Sequence, residues 1–414
     1  MRSDRATSLF RGALWVFVIA LAAFAACAQA QTYDLRVIHR FTGAPNDGDE
    51  PEAGVQFDGA GNLYGTTVSG GAYNYFGTIF KITPDGTETI LYSFEDAADG
   101  GYPGPVTVDP ATGDVYGSSY IFLIDGQPEC GQIYKLAANG AFTLLHVFTC
   151  GSGTGAISQL LRDLQGNLYG TEEYGGSIDG YGAIFKIGAD GSFTVLHTFN
   201  GTDGADVVGG VVRDRAGNLY GVTRTGTTEA TGGGTIYKLA PNGTLTTLHA
   251  FTGGADGSQP SSLVRDQAGN LYGTDEVGDQ ALGMVFKLAP DGTFSTLYTF
   301  TANQGLPIYP LLSIAGNLYG VTSSGGDSGY GTLFRVTADG TYTMLHSFTL
   351  RDGIYPFGKL TLKYGRLFGT TACSSPNHPR MRAGAPCTVS AQSGTRCFAL
   401  RAPSCRRHAE HRFQ

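Results

Sequence analysis

Tryptophan is nearly absent from this chain: its 414 residues include one, Trp15, with four methionines and only 15% charged residues. Trp15 falls within the first thirty residues, so the body must build its core from Val, Ile, Leu, Phe and Tyr. The apolar run 13–26 is shorter than the roughly 20 residues a spanning helix needs, and no later segment is long enough either. A membrane span in the mature chain is therefore excluded. Phosphate loops are missing too. The pairs Gly70-Gly71, Gly175-Gly176 and Gly325-Gly326 lead into no helical pattern and carry no Gly-Lys-Thr/Ser. Histidine offers no site of its own: His39, His146, His197, His249 and His346 share one repeat position, and His378, His408 and His411 lie in the tail. A Ser-His-Asp relay, a His-based lyase centre or a zinc site needs a local departure from the repeat, and no body histidine provides one.

Against these absences stands a phrase of the form Gly-Asn-Leu-Tyr-Gly, ending at Gly65, Gly117, Gly170, Gly221, Gly273, Gly320 and Gly369. The period is roughly fifty residues, and strand patterns fill it. A single small sheet cannot bury its own faces, so such an array closes radially. Residues 261–301 illustrate one unit: strand Ser262–Asp266, turn Gln267–Asn270, strand Leu271–Thr274, a looser segment, strand Met284–Leu288, turn Pro290–Gly292 and an alternating strand Phe294–Phe300. Four antiparallel strands in each of seven units predict an all-β, seven-bladed β-propeller. The segment Leu35–Phe41 has the fourth-strand pattern yet precedes the first blade. It should pair into the last blade and close the ring. Residues 360–362 and 367–370 supply that blade's first two strands, and Thr388-Val389-Ser390 is the candidate third.

Three segments follow. Residues 1–30 combine Arg2, Arg5 and Arg11, the apolar run and Ala28-Gln29-Ala30, as a secretory signal does. Cleavage before Cys27 as a lipoprotein is the weaker rival, because Phe24 stands where Leu is usual. Residues 31–371 form the propeller. Residues 372–414 are an atypical Arg- and Cys-rich tail, disordered or the product of a shifted reading frame. From position 366 onward eight arginines face the single acid Glu410, so the overall charge of −8 conceals a strongly acidic body. With lysines about one per repeat there is no basic groove, and nucleic acid is not an expected partner. The mature chain is expected to be a secreted monomer, extracellular, periplasmic or on the cell surface.

The aspartates at 58, 109, 163, 214 and 266 precede the first turn of their blades, and their recurrence marks them as turn caps rather than catalytic or calcium-binding groups. The inter-blade acids Asp47, Asp49, Asp96, Asp99, Asp203 and Asp206 could hold calcium, although none has the spacing of a calcium loop. No other cofactor and no catalytic residue is indicated. Cys130 and Cys150 flank the hairpin turn Asn139-Gly140 symmetrically and are expected to form a disulfide in an exported protein. Cys373, Cys387, Cys397 and Cys405 form a separate tail group of open pairing.

In each blade the first and third turns share one face of the disc and are short. The other connections are long, varied and lie opposite, where recognition usually sits. That long-loop face carries Tyr73, Tyr75, Tyr120, Tyr174, Tyr181 and Tyr330, amphipathic groups able to stack on sugars or pack into a protein. Glu172 and Asp275 depart from the repeat close to the same face, as do Glu173, Arg224 and Glu276. These residues point to a non-enzymatic module binding a polysaccharide or surface protein. The alternative is a propeller lyase or hydrolase using acids near the axis.

The stretch Gly61–Phe94, reading Gly-Asn-Leu-Tyr-Gly-Thr-Thr, Gly-Gly, Gly-Thr-Ile-Phe-Lys-Ile, Pro-Asp-Gly-Thr and Leu-Tyr-Ser-Phe, resembles the tandem repeat of bacterial choice-of-anchor GloVer-repeat proteins. The resemblance covers about 34–371 and implies an exported protein with a varied sorting or anchoring end; it attaches no activity to the repeat. Blades of virginiamycin-lyase and NHL-type propellers are similar more loosely, and their functional residues have no counterparts here.

Overall fold

The computed structural model describes residues 34–95, 99–121, 130–148, 158–173, 175, 180–226, 233–277, 282–307, 309–371 and 396–401. The signal segment, Tyr174, Cys150, the cysteines Cys373 and Cys387, and the proposed strand 388–390 lie outside them. Cys130 opens a strand but its side chain is outside the described set, so the Cys130–Cys150 pairing is too.

Described strands form four-stranded antiparallel sheets plus one two-stranded pair, and no described residue is helical. Six sheets consist of four strands in chain order, spanning 56–93, 107–147, 161–198, 205–250, 258–299 and 312–347, here blades one to six. The expected seven blades of this kind are thus six. The remaining four-stranded sheet is composite, in the order Asp34–Arg40, Arg396–Arg401, Arg366–Thr371, Pro356–Lys363. The first described strand does close it. The strand beside Arg366–Thr371 is Arg396–Arg401, from the segment read as tail, where Thr388–Ser390, outside the described residues, was expected. The cause lies in pairing demand: an open ladder edge of Arg366–Thr371 needs a strand, and Arg396–Arg401 supplies one.

The repeated phrase has a packing cause. Its final glycine faces the third-strand aromatic of the same blade: a Cβ on Gly273 would lie 2.4 Å from Phe286 Cζ, and one on Gly221 2.2 Å from the Tyr237 hydroxyl. Any side chain there would expel a fully buried ring. In blades one to five the phenylalanine closing the fourth strand then meets the third-strand aromatic of the next blade, as Phe94 meets Tyr134 (5.5 Å), Phe148 meets Phe185 (5.4 Å), and Phe251 meets Phe286 (5.3 Å). Phe41 repeats this contact on Phe80 of blade one at 4.9 Å, so the ring seam has the same apolar joint as the other blade junctions. First strands lie nearest one another around the axis. Thr107 Oγ1 donates to the Leu160 carbonyl of the next blade and Thr361 Oγ1 to the Val55 carbonyl across the seam.

Candidate functional site

Recurring polar residues prove to be fasteners. Asp266 accepts from the Asn270 amide (2.9 Å), the Asn270 side chain (2.7 Å) and the Tyr272 hydroxyl (3.1 Å), and Asp58, Asp163 and Asp214 repeat the set. Burial pushes these carboxyls up, but the bonds from Asn and Tyr outweigh it and hold them below the usual range. The fourth-strand histidines meet inter-blade aspartates: His197 with Asp203 at 2.9 Å, His249 with Asp256 at 3.2 Å, His346 with Asp352 at 2.6 Å. Each aspartate also caps a backbone amide just after its strand, those of Asn200, Thr252 and Thr349. Tyr92 and Asp99 make the same joint at 2.6 Å. The acids Asp99 and Asp203, read as calcium candidates, serve as these clamps.

At the long-loop end, the second residue after the repeat glycine of the second strand stands opposite the first residue of the third in blades one and three to six. In blades one, four and six this is a threonine pair, Thr67 with Thr78, Thr223 with Thr235 and Thr322 with Thr332, each at 2.8 Å. Asp275 takes that place in blade five. Its oxygens accept the amides of Met284 (2.7 Å) and Ser258 (3.2 Å), and it is 0% exposed. Burial, opposed by the two amides and reinforced by the charges of Asp256 and Glu276, pushes its carboxyl up to about 7. Glu172 takes the place in blade three, opposite Ala183, which has no hydroxyl to offer. It is buried against Gly175, and burial alone pushes it up to about 7.

One residue further on, Glu173, Arg224 and Glu276 join three successive blades. Arg224 lies 3.6 Å from Glu173 and 2.9 Å from Glu276. Among the described residues the candidate tyrosines do not gather. Tyr73 and Tyr75 are exposed (45% and 67%), Tyr120 is bridged to Gly101, Tyr181 packs on the core between blades three and four, and Tyr330 meets Tyr355 edge-on.

Sequence reasoning overlooked the opposite mouth. A cavity of about 780 Å³ lies at the short-turn ends of the first strands of blades three to five, lined by Arg162, Arg213, Arg215 and Arg265 with Asp163, Asp214 and Asp266. Arg162 reaches Asp109 at 2.6 Å, but Arg213 stands 3.9 Å from Asp163 and lies over the Tyr169 ring (5.5 Å). Arg265 lies over Tyr220 (5.9 Å) and donates only weakly, to the Asp266 carbonyl at 3.5 Å. The aspartates are already engaged by their own turns, which leaves guanidinium donors facing the cavity. The sequence signal is arginine directly before the turn aspartate at 162, 213 and 265, where Phe57 and Val108 stand in blades one and two.

The fold and the repeat place the chain in a class of β-propellers built from tandem fifty-residue units. It belongs to the Gloeobacter/Verrucomicrobia repeat family, whose model matches residues 24–233 and 176–378. No curated protein matches the chain. Among solved structures, it is similar to the extracellular domain of a protein from B. thetaiotaomicron (TM-score 0.55, 14% identity, 90% of this chain and 43% of that one). It is also similar to puromycin hydrolase (TM-score 0.51, 14% identity, 78% and 50%). A gluconolactonase from Xanthomonas campestris aligns over 90% of each chain at 14% identity and a TM-score of 0.44. Identities this low speak to the fold alone. Among the described residues no helix is long and apolar enough to cross a membrane.

Proposed function

We propose that this chain is a secreted, non-enzymatic binding module, a ring of seven when the composite sheet is counted as a blade, that takes an acidic sugar unit at the short-turn mouth of its axis. The supporting observation is the convergence of Arg213 and Arg265 on one cavity, beside an Arg162 held by Asp109, where the oxygens of Asp163, Asp214 and Asp266 are already committed to their own turns. Planar guanidinium forks suit a carboxylate or sulfate. The acidic body disfavours a long polyanion, so an isolated acidic group within a mostly neutral polysaccharide fits best. A signal-like start supports export, and the chain is read as a monomer.

The test is calorimetric binding of a xylan oligomer bearing a single glucuronate unit to the wild type and to Arg213→Ala/Arg265→Ala, with the unsubstituted oligomer as control. Binding should weaken at least about tenfold in the double variant, which corresponds to about 1.4 kcal/mol. Tyr73→Ala/Tyr75→Ala should bind unchanged. If the tyrosine variant loses binding and the arginine variant keeps it, the ligand sits on the long-loop face instead.

The enzymatic alternative rests on Glu172, a buried carboxyl poised near neutrality. Oligomer cleavage by the wild type that Glu172→Gln abolishes would move the assignment to a lyase or hydrolase.

A further inference from the structure

The clamp at the ring seam differs from its repeats in a way that creates a donor set. In the other blades the fourth strand opens with an apolar residue: Phe142, Phe193, Leu245, Phe294 and Tyr342 occupy one register position. Four of these stack on the residue at the clamp position of the preceding blade: Phe142 on Tyr92 (4.3 Å), Phe193 on His146 (3.6 Å), Phe294 on His249 (4.1 Å) and Tyr342 on Tyr298 (4.7 Å). In blade one the position is Glu88, opposite Ile82, and the clamp residue it approaches is His39 of the closing strand. A carboxylate thus stands where a ring covers the imidazoles of His146 and His249.

The clamp itself is altered as well. His197, His249 and His346 hydrogen-bond their aspartates at 2.6–3.2 Å. His39 Nε2 stands 3.4 Å from Asp47 Oδ2 and, although sealed from solvent, makes no hydrogen bond. Glu88 Oε1 is likewise sealed and without a partner. One donor atom each from His39, Asp47 and Glu88 lie within 4.8 Å of one another. Asp47 is fixed for the task, since the amides of Thr42 (2.8 Å) and Gly48 (2.7 Å) hold its carboxylate in place. Two carboxylates beside a single imidazole leave excess negative charge in a partly dry site. Burial and the Asp47 charge push the Glu88 carboxyl up, with His39 opposing.

We propose that His39, Asp47 and Glu88 bind a divalent first-row transition ion that fastens the closing strand to blade one. One imidazole nitrogen with two carboxylate oxygens is a zinc-type set, with water completing the tetrahedron. Tetrahedral zinc would hold such donors about 3.4 Å apart, so small side-chain adjustments, chiefly of the long Glu88 side chain, close the site. An imidazole is a poor calcium ligand, which sets this site apart from an all-oxygen calcium loop. Because His39 and Asp47 belong to the closing segment and Glu88 to blade one, the ion would bind only when the seam is shut.

The test uses the full chain, stripped with a chelator and titrated with Zn²⁺ by calorimetry, alongside thermal unfolding. Zinc should raise the melting temperature by a few degrees at hundredfold excess over Kd. It should also slow amide exchange in 34–40, while Ca²⁺ does neither. Glu88→Phe restores the stacking residue of the other blades, so it should fold at least as well as the stripped wild type. That variant should take up one zinc fewer per chain and lose the thermal gain. His249→Ala, at an ordinary clamp, should keep both. Zinc taken up by the cysteines and histidines of the tail would persist equally in both proteins and would not mimic this pattern. Identical isotherms and identical thermal gains in the wild type and Glu88→Phe would overturn the proposal, as would a wild type with no zinc-dependent gain.

Discussion

Asp266 and Asp275 stand at opposite ends of one hairpin in blade five, and the fold treats them in opposite ways. Asp266 belongs to the repeat, lies at the short turn and receives three hydrogen bonds from Asn270 and Tyr272. Asp275 replaces a threonine, is sealed beneath Gly257 and receives two backbone amides. The first carboxyl is held below its ordinary range and the second is raised to about 7. The same side chain therefore stabilises as an anion at one end of the hairpin and resists ionisation at the other. Depth separates the two: at the half-buried Asp266 three donors outweigh burial, whereas at the fully buried Asp275 two amides do not.

Removing Asp266 should have the largest effect. Asp266→Ala deletes the acceptor for two Asn270 donors and the Tyr272 hydroxyl, and the expected loss is about 2–3 kcal/mol in urea-induced unfolding, taking each bond as about 1 kcal/mol. Its lowered carboxyl contributes stability above the unfolded-state value, and that contribution disappears as pH falls. Acid sensitivity should accordingly be milder in the variant than in the wild type. A loss below about 0.5 kcal/mol would mean that the turn holds itself through Gly269 (φ 93°) alone.

Transplanting the threonine pair of blade four should act in the other direction. Asp275→Thr with Met284→Thr copies Thr223 and Thr235, and relative to the wild type it should gain about 1–3 kcal/mol between pH 4 and pH 8, with about a third of that gain already present at pH 5. The sign follows from the raised carboxyl. Between about 4, where an unfolded aspartate titrates, and about 7 the native state keeps a proton that the unfolded state has released. Wild-type stability should therefore fall as pH rises through that window and level off above it. Unfolding titrations at four pH values suffice, and a double variant with an unchanged pH profile would show that Asp275 titrates normally.

Much of this contrast was legible in the sequence. Recurrence alone identified Asp58, Asp109, Asp163, Asp214 and Asp266 as turn caps, because a group needed once does not appear in blade after blade. The same logic placed Leu35–Phe41 at the seam, since its pattern matched a fourth strand with no blade of its own. What recurrence could not show is direction. Tyr181 and Tyr73 look alike in a loop, yet one packs into the core and the other faces water. Arg213 and Arg265 were hidden because each blade uses its arginine locally, and only the ring brings the three first strands together. The composite blade's third strand escaped for a related reason: Arg396–Arg401 pairs because an edge is open, not because its residues repeat the motif.

The smallest expected effect sharpens the comparison most. Arg224 is a third exposed and bridges Glu173 and Glu276, so its removal should cost no more than about 1 kcal/mol near neutrality, and less at high salt. Glu276 is also one of the charges that raise Asp275. With its guanidinium partner gone, the Glu276 charge acts on Asp275 with less compensation and should raise that carboxyl further. Arg224→Ala should thus leave stability at pH 5 almost unchanged, yet steepen its fall toward pH 8. In the background of Asp275→Thr/Met284→Thr the extra slope should vanish, because the titrating group is absent. A slope that Arg224→Ala increases equally in both backgrounds would place the coupling elsewhere on the rim and leave Asp275 shielded from it by the backbone amides of Met284 and Ser258.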